Sequence, residues 1–214
     1  MAAPAMLVAA LLLGPRGGAS AEPYSIDYRR SSLVVRLYRA GVGSALAHDH
    51  VVGATRWHGT LDVNQAPVAL SADVRVDATA LEVDEPPLRA RYGLDGALSE
   101  DDRKEVRETM LGPSQLDAAK HPEIRFRAAE IDRADAGFRV AGDLTIHGVT
   151  RRVAFLMQVE RSGDELRAQG SLRLKQTDFG IEPYSALLGA VRNQDDFDLL
   201  FDVVARPLRA AARR

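Results

Sequence analysis

The sequence predicts an all-β fold, an antiparallel sheet closed into a barrel of about eight strands with a helical insertion near residues 99–119. Three observations carry that expectation. Apolar and polar residues alternate with period two along most of the chain, as in strands that bury one face. Gly142-Asp143-Leu144-Thr145-Ile146-His147-Gly148-Val149-Thr150 reads as a strand that breaks at Gly148 and resumes through Val153, Phe155, Met157 and Val159, a hairpin with one apolar face. A sheet of such strands must stack on a second sheet or close on itself, and one helix-like segment alone interrupts the series.

Taken in order, residues 5–13 are an uninterrupted apolar run, followed by Gly14-Pro15 and then Ala19-Ser20-Ala21. This reads as an export signal over residues 1–21, with a mature start near Glu22. The run is too short to span a bilayer, so no transmembrane segment is expected in the mature chain. Residues 22–206 then suit a single domain with a sizeable core, and 207–214 form a disordered Arg-rich tail.

Alternation marks the strands. Tyr24, Ile26 and Tyr28 oppose Ser25 and Asp27, and Leu33, Val35 and Leu37 oppose Val34 and Arg36. Trp57, Leu61 and Val63 oppose Arg56, His58 and Asp62; Leu70, Ala72, Val74 and Val76 oppose Ser71, Asp73 and Arg75. Ile124 and Phe126, then Phe138, Val140, Leu144 and Ile146, continue the pattern. Leu172 and Leu174 oppose Arg173 and Lys175, and Phe197, Leu199, Phe201 and Val203 oppose Asp198 and Asp202. The insertion begins where Ser99 can cap a helix from about residue 100 to 110 with Asp101 and Asp102 in its first turn. Its narrow apolar side, Leu98, Val106 and Met110, places it on the surface or across an opening, and Gly112-Pro113 ends it.

The 214 residues contain no cysteine, which excludes disulfides, zinc–thiolate sites, thiol catalysis and lipoprotein acylation. The net charge of −2 becomes one unit more negative once Arg16 leaves with the signal, and no basic surplus points to nucleic acid. An outer-membrane barrel would need aromatic girdles beside its apolar faces; none is present, and a soluble barrel with an apolar interior fits better.

Chemistry-bearing residues are few. In His48-Asp49-His50, two imidazoles at i, i+2 on an extended segment share a side and could bind a transition metal, with His58, His121, His147 or a carboxylate completing the set. The alternative is a polar loop at the barrel rim. Asp101-Asp102 and Asp195-Asp196 are adjacent carboxylates that point apart and look solvated, and no phosphate-cradling loop or Ser-His-Asp arrangement stands out. Trp57 reads as a core or cavity-wall residue. Thr177-Asp178-Phe179-Gly180 reads as a structural corner in which Asp178 bonds its own backbone and Phe179 packs inward. The apolar stretch 181–191 that follows reads as a lid over the barrel mouth or a plug.

With these residues in hand, the chain resembles the YceI-like family of lipocalin-like, polyisoprenoid-binding proteins. The likeness runs from about residue 24 to 204. It rests on the Tyr-Ser-Ile-Asp opening, Val74-Arg75-Val76-Asp77, the segment from Leu116 through Lys120-His121-Pro122 to Phe126, the Gly142–Thr150 hairpin, and the Thr177–Ile181 corner. Gln176 departs from the pattern, standing where many relatives carry Arg before the corner. The resemblance implies a closed lipocalin-like barrel with an elongated apolar cavity that holds a polyisoprenoid lipid or isoprenoid quinone, without catalytic residues. Strand parity and the corner then name a candidate wall. Leu33, Val35, Leu37, Trp57, Val74 and Val76 come from the first half of the chain. Phe126, Leu144, Phe155 and Met157 follow, and Leu172, Phe179, Leu187 and Phe201 complete it, with His48 and His50 at the rim. A periplasmic or secreted location, a homodimer and an inner-membrane partner are the accompanying expectations. A metal-binding enzyme or redox partner built on His48 and His50 is the alternative function, and a plain structural barrel with a filled core is a third reading.

Overall fold

The computed structural model describes residues 22–43, 47–63, 69–94, 96 and 98–208. The export signal expected at 1–21 and all but the start of the expected tail lie outside the described residues. The start of the tail is strand: β12 runs to Pro207, which pairs with Tyr24.

Eleven of the twelve strands make eight staves. β1 (Glu22–Ile26) and β2 (Ser32–Ala40) form one bent stave, joined by a 3-10 turn at Tyr28–Arg30. β3 (His50–Ala54) and β4 (Trp57–Val63) form the second, broken at Thr55-Arg56. β5 (Ala69–Asp77) and β6 (Leu81–Val83) form the third, bent at Ala78–Ala80, where the Asp77 carboxylate accepts from the Thr79 amide. β7 (Glu123–Ala134), β8 (Gly137–Ile146), β9 (Val149–Ser162) and β10 (Glu165–Lys175) then run as a meander to β12 (Val191–Pro207). β11 (Ser185–Ala186) is a short hairpin arm on β12. β12 pairs with β10 along one edge and with both β2 and β1 along the other, and this closes the antiparallel barrel. The number of staves matches the sequence expectation; the bends raise the count of strands.

The β8–β9 connection is the expected tight turn. His147 and Gly148 both have positive φ, 51° and 72°, as the two central residues of a type I′ hairpin require. Inward parity is also as expected along most strands, and the interior is apolar, with Tyr24, Ile26, Trp57, Val63 and Val76 in one buried cluster and Leu144, Ile146, Phe179 and Phe197 in a second.

β6 pairs with β3 on one side, but the ladder between β5 and β7 does not continue to its other side. Its edge is covered instead by α2 (Glu100–Leu111). Arg107 on that helix donates to the carbonyls of Leu81 (2.8 Å) and Thr79 (2.6 Å), giving the unpaired carbonyls of this edge a donor. The helix starts as predicted, with the Ser99 hydroxyl accepting from the Asp102 amide at 3.1 Å. It lies across an opening, and Val106 and Met110 point into it.

A second helix, α1 (Pro86–Arg91), is absent from the sequence expectation. Pro86-Pro87 suit a first helical turn, where a missing N–H costs nothing, but six residues give too little periodicity to be read.

Candidate functional site

α2 and the bent staves leave a cavity of about 280 Å³ inside the barrel. Its wall is mostly aliphatic. Leu33, Val35 and Leu37 come from β2, Val52 and Ala54 from β3, and Val76, Leu81 and Val83 from the third stave. Val106 and Met110 from α2, Leu116 from the segment after it, and Leu199 from β12 add to it. The chain folds this way because each stave turns one parity inward, while α2 supplies the i, i+4 pair that closes the seam.

Of the fourteen wall residues expected from sequence, Leu33, Val35, Leu37 and Val76 border this cavity. Trp57 is buried in the core cluster with Val74 packed against it. Leu144 and Phe179 are buried in the second cluster, with Phe126 and Leu172 packed against them. Phe126, Phe155 and Phe201 are brought together as a cluster of tilted, edge-to-face rings: ring centroids are 5.6 Å apart for the first pair and 5.4 Å for the second. Met157 is half-buried opposite Phe138 on the β8–β9 ladder.

Leu187 is a correction. It is 70 % exposed, in a 3-10 turn with φ of 50°. In the 181–191 stretch β11 folds back on β12 and a 3-10 turn follows it, so the tip, Leu187 and Leu188, turns outward. Ile181 and Tyr184 from the same stretch do border the cavity. The Thr177–Phe179 corner is also held differently from the expectation. Asp195, not Asp178, ties it, accepting from the Thr177 amide (2.9 Å) and hydroxyl (2.7 Å), so Asp195 is not simply solvated. Gln176 is buried at the cavity wall and donates to the Gln194 carbonyl at 2.7 Å.

His48 and His50 part company. His48 is exposed, whereas His50 opens β3 and its ring borders the cavity. The His50 Nδ1 lies 2.6 Å from the Asp84 carboxylate, and the Arg89 guanidinium donates to the other Asp84 oxygen at 2.9 Å. Arg89 also donates to the carbonyls of Asp49 and Gly96. Asp84 is fully buried. Burial alone would raise its pKa, but hydrogen bonds from His50, the Val51 amide and Arg89 outweigh it, so the carboxyl sits below its usual range. With Asp84 ionised, Nδ1 of His50 carries the proton and Nε2 is left for a ligand. Asp84 and Arg89 were not legible as site residues; the available signal was an acidic residue just before Glu85-Pro86-Pro87, held at φ of 53°.

The remaining polar groups on the wall are Glu105, Thr109, Gln115, Gln176, Tyr184 and Asn193. Among the described residues, no Lys or Arg borders the cavity. The arrangement can therefore shelter an apolar chain and offer neutral hydrogen-bonding groups, with one imidazole backed by a carboxylate.

Comparison with known proteins agrees with this architecture. The structure of Burkholderia cenocepacia BcnA superposes with a TM-score of 0.63 over 84 % of this chain and 98 % of that one, at 17 % identity. The Campylobacter jejuni YCEI protein gives 0.53 over 72 % and 83 %, at 15 % identity. At such identities the likeness establishes the fold. A UPF0312 protein of Yersinia pestis is 32 % identical over 80 residues, which take in 34 % of this chain and 41 % of the relative's length. A family profile, the YceI-like domain, matches residues 24–205, nearly all of the described barrel, and the chain therefore belongs to the YceI-like family.

Proposed function

We propose that the protein is an exported, non-catalytic carrier that holds the chain of an isoprenoid lipid in the barrel cavity and its head group beside His50. The observation that carries the reading is the aliphatic cavity with one imidazole–carboxylate pair on its wall. Each methylene-sized unit moved from water into such a space contributes ~0.8 kcal/mol. The head group is uncharged: Glu105 borders the cavity and no Lys or Arg among the described residues does, so a phosphate or pyrophosphate there would be repelled. An isoprenoid quinone suits the site. Nε2 of a neutral His50 accepts from a quinol hydroxyl, and Nε2–H of a charged one donates to a quinone carbonyl.

The metal-centre reading on His48 and His50 finds less support, because Nδ1 of His50 is already engaged by Asp84 and His48 faces solvent. Native mass spectrometry of protein recovered from its own periplasm, followed by extraction of the bound lipid, tests the proposal. One isoprenoid quinone or quinol per chain is expected. His50→Ala should retain the tail but lose preference among lipids that share it and differ in head group. Recovery of folded protein that neither carries nor takes up any isoprenoid overturns the reading, and recovery in the cytoplasm with residues 1–21 intact overturns the export part of it.

A further inference from the structure

A different pair of histidines converges outside the cavity. The segment after α2 makes a single helical turn in which the amides of Lys120 and His121 both donate to the Asp117 carbonyl, at 2.9 and 2.8 Å. This i, i+4 spacing puts the side chains of Asp117 and His121 on one side. The β8–β9 turn brings His147 against them. The two imidazoles meet edge to face with centroids 5.0 Å apart, and ligating atoms of Asp117, His121 and His147 all lie within 4.8 Å of one another. The backbone is bent to bring this about: Asp117 and His147 are both in the left-handed region, at φ of 42° and 51°. Gly148 makes room, since a Cβ there would stand 2.6 Å from the His121 ring.

From this geometry we propose that Asp117, His121 and His147 form a binding site for one divalent transition ion of the zinc or cobalt kind, with solvent completing the coordination. Two imidazoles and one carboxylate are a donor set such ions favour over calcium or magnesium. Ligand atoms around a tetrahedral zinc stand about 3.4 Å apart, from bonds of roughly 2.1 Å, so side-chain rotations on the order of 1 Å close the set. The outer partners are in place. The Phe179 carbonyl, 3.3 Å from Nδ1 of His147, accepts a hydrogen bond from that nitrogen and so leaves Nε2 for the ion. Asp117 is buried, and its present partner is the Lys120 ammonium at 2.8 Å, an exposed side chain on a flexible stem that leaves when a cation arrives. The neighbours Leu116 and Ile146 border the cavity. A bound ion therefore clips the segment after α2 to the β8–β9 turn and fixes that part of the cavity wall. The inference does not depend on the identity of the cavity's occupant.

Chelator-stripped protein titrated with Zn²⁺, and with Co²⁺ followed by its visible absorption, tests this. One ion per chain is expected, with a rise in Tm on addition of Zn²⁺ because the ion binds the folded state. Asp117→Asn keeps the shape and tolerates the left-handed backbone; it and His121→Ala should each weaken binding by more than the roughly 10–100-fold that loss of an outer partner costs. Lys120→Ala should bind at least as tightly as the parent, a result that a merely structural Asp117–Lys120 pair does not produce. His48→Ala should change nothing. No binding of either ion to the parent protein, binding that survives in the Asp117→Asn/His121→Ala double variant, or loss of binding in His48→Ala would each overturn the proposal.

Discussion

One side of the barrel interior opens on a cavity and the other is taken up by three half-buried aromatic rings, and the same alternating pattern wrote both. On the hollow side, β2, β3, β6 and α2 present Leu33, Val35, Val52, Val83, Val106 and Met110 around the cavity. On the aromatic side, Phe126 of β7, Phe155 of β9 and Phe201 of β12 meet across the interior. Bare backbone lets the rings in: a Cβ on Gly142 would stand 2.8 Å from the Phe126 ring, and one on Gly170 2.6 Å from that of Phe201. Side-chain volume against available room, rather than hydrophobicity, decides where space for a ligand remains.

The largest effect should come from breaking the aromatic side. Phe155 lies against both other rings, and Phe155→Ala removes the centre of the cluster, at a cost of about 3 kcal/mol in denaturant unfolding, the lower end for a phenylalanine because the ring is half-buried. Leu33→Ala on the hollow side should cost less, about 2 kcal/mol or under, because its neighbours already border empty space and no new cavity is created. Equal costs would mean that the two sides are packed alike.

The ionic support of the hollow side gives the next effect. Asp84→Asn takes the carboxylate from beside the buried Arg89 guanidinium and the half-buried His50 imidazole that hydrogen-bond to it, and should cost about 3 kcal/mol. The same group gives acid sensitivity of known sign. Its folded pKa is depressed, so its contribution is fully present above the unfolded value of about 3.9 and is lost as pH falls through the folded value. Acid unfolding of the parent should therefore steepen below about pH 4 relative to Asp84→Asn. Parallel acid profiles would remove Asp84 from the account.

Gly142→Ala should fall in the range of about 1–3 kcal/mol, since the added methyl meets the Arg127 carbonyl as well as the Phe126 ring and backbone cannot step aside. At Gly53, on the outer face of β3 between the cavity-lining Val52 and Ala54, the same change meets a single Leu88 methyl at 3.1 Å, and a smaller cost is expected by the same unfolding measurement.

These contrasts also show what the sequence could and could not convey. Strand parity was legible because period two depends on neighbours in the chain, so Leu33, Val35, Leu37 and Val76 were placed on the cavity wall before any coordinates. That Phe126, Phe155 and Phe201 meet one another rather than border the cavity depends on register across five strands, which alternation does not encode. Leu187 was misplaced for a related reason. An apolar residue in a loop carries no parity, and β11 turned it outward. The histidines divided likewise: i, i+2 spacing could suggest His48 with His50, but only the tertiary fold brings His147 to His121 across 26 residues of chain.

The smallest expected change in stability is also the sharpest test of which side holds the ligand. Met110 enters the hollow side from α2, a helix that lies over the seam rather than within the sheet, so a larger side chain there can grow into the cavity without disturbing a ladder. Met110→Trp fills that space with an indole whose N–H can reach the polar groups on the same wall, among them Glu105 and Gln115. Unfolding free energy should shift by less than about 1.5 kcal/mol, as volume is added to a void rather than to a packed core. Ligand recovered by native mass spectrometry should fall sharply, while Phe155→Leu, which loosens the aromatic side, should leave it nearly unchanged. If Met110→Trp folds and still carries a full complement of lipid, the ligand lies elsewhere in the barrel, and the aromatic cluster is where to look for it.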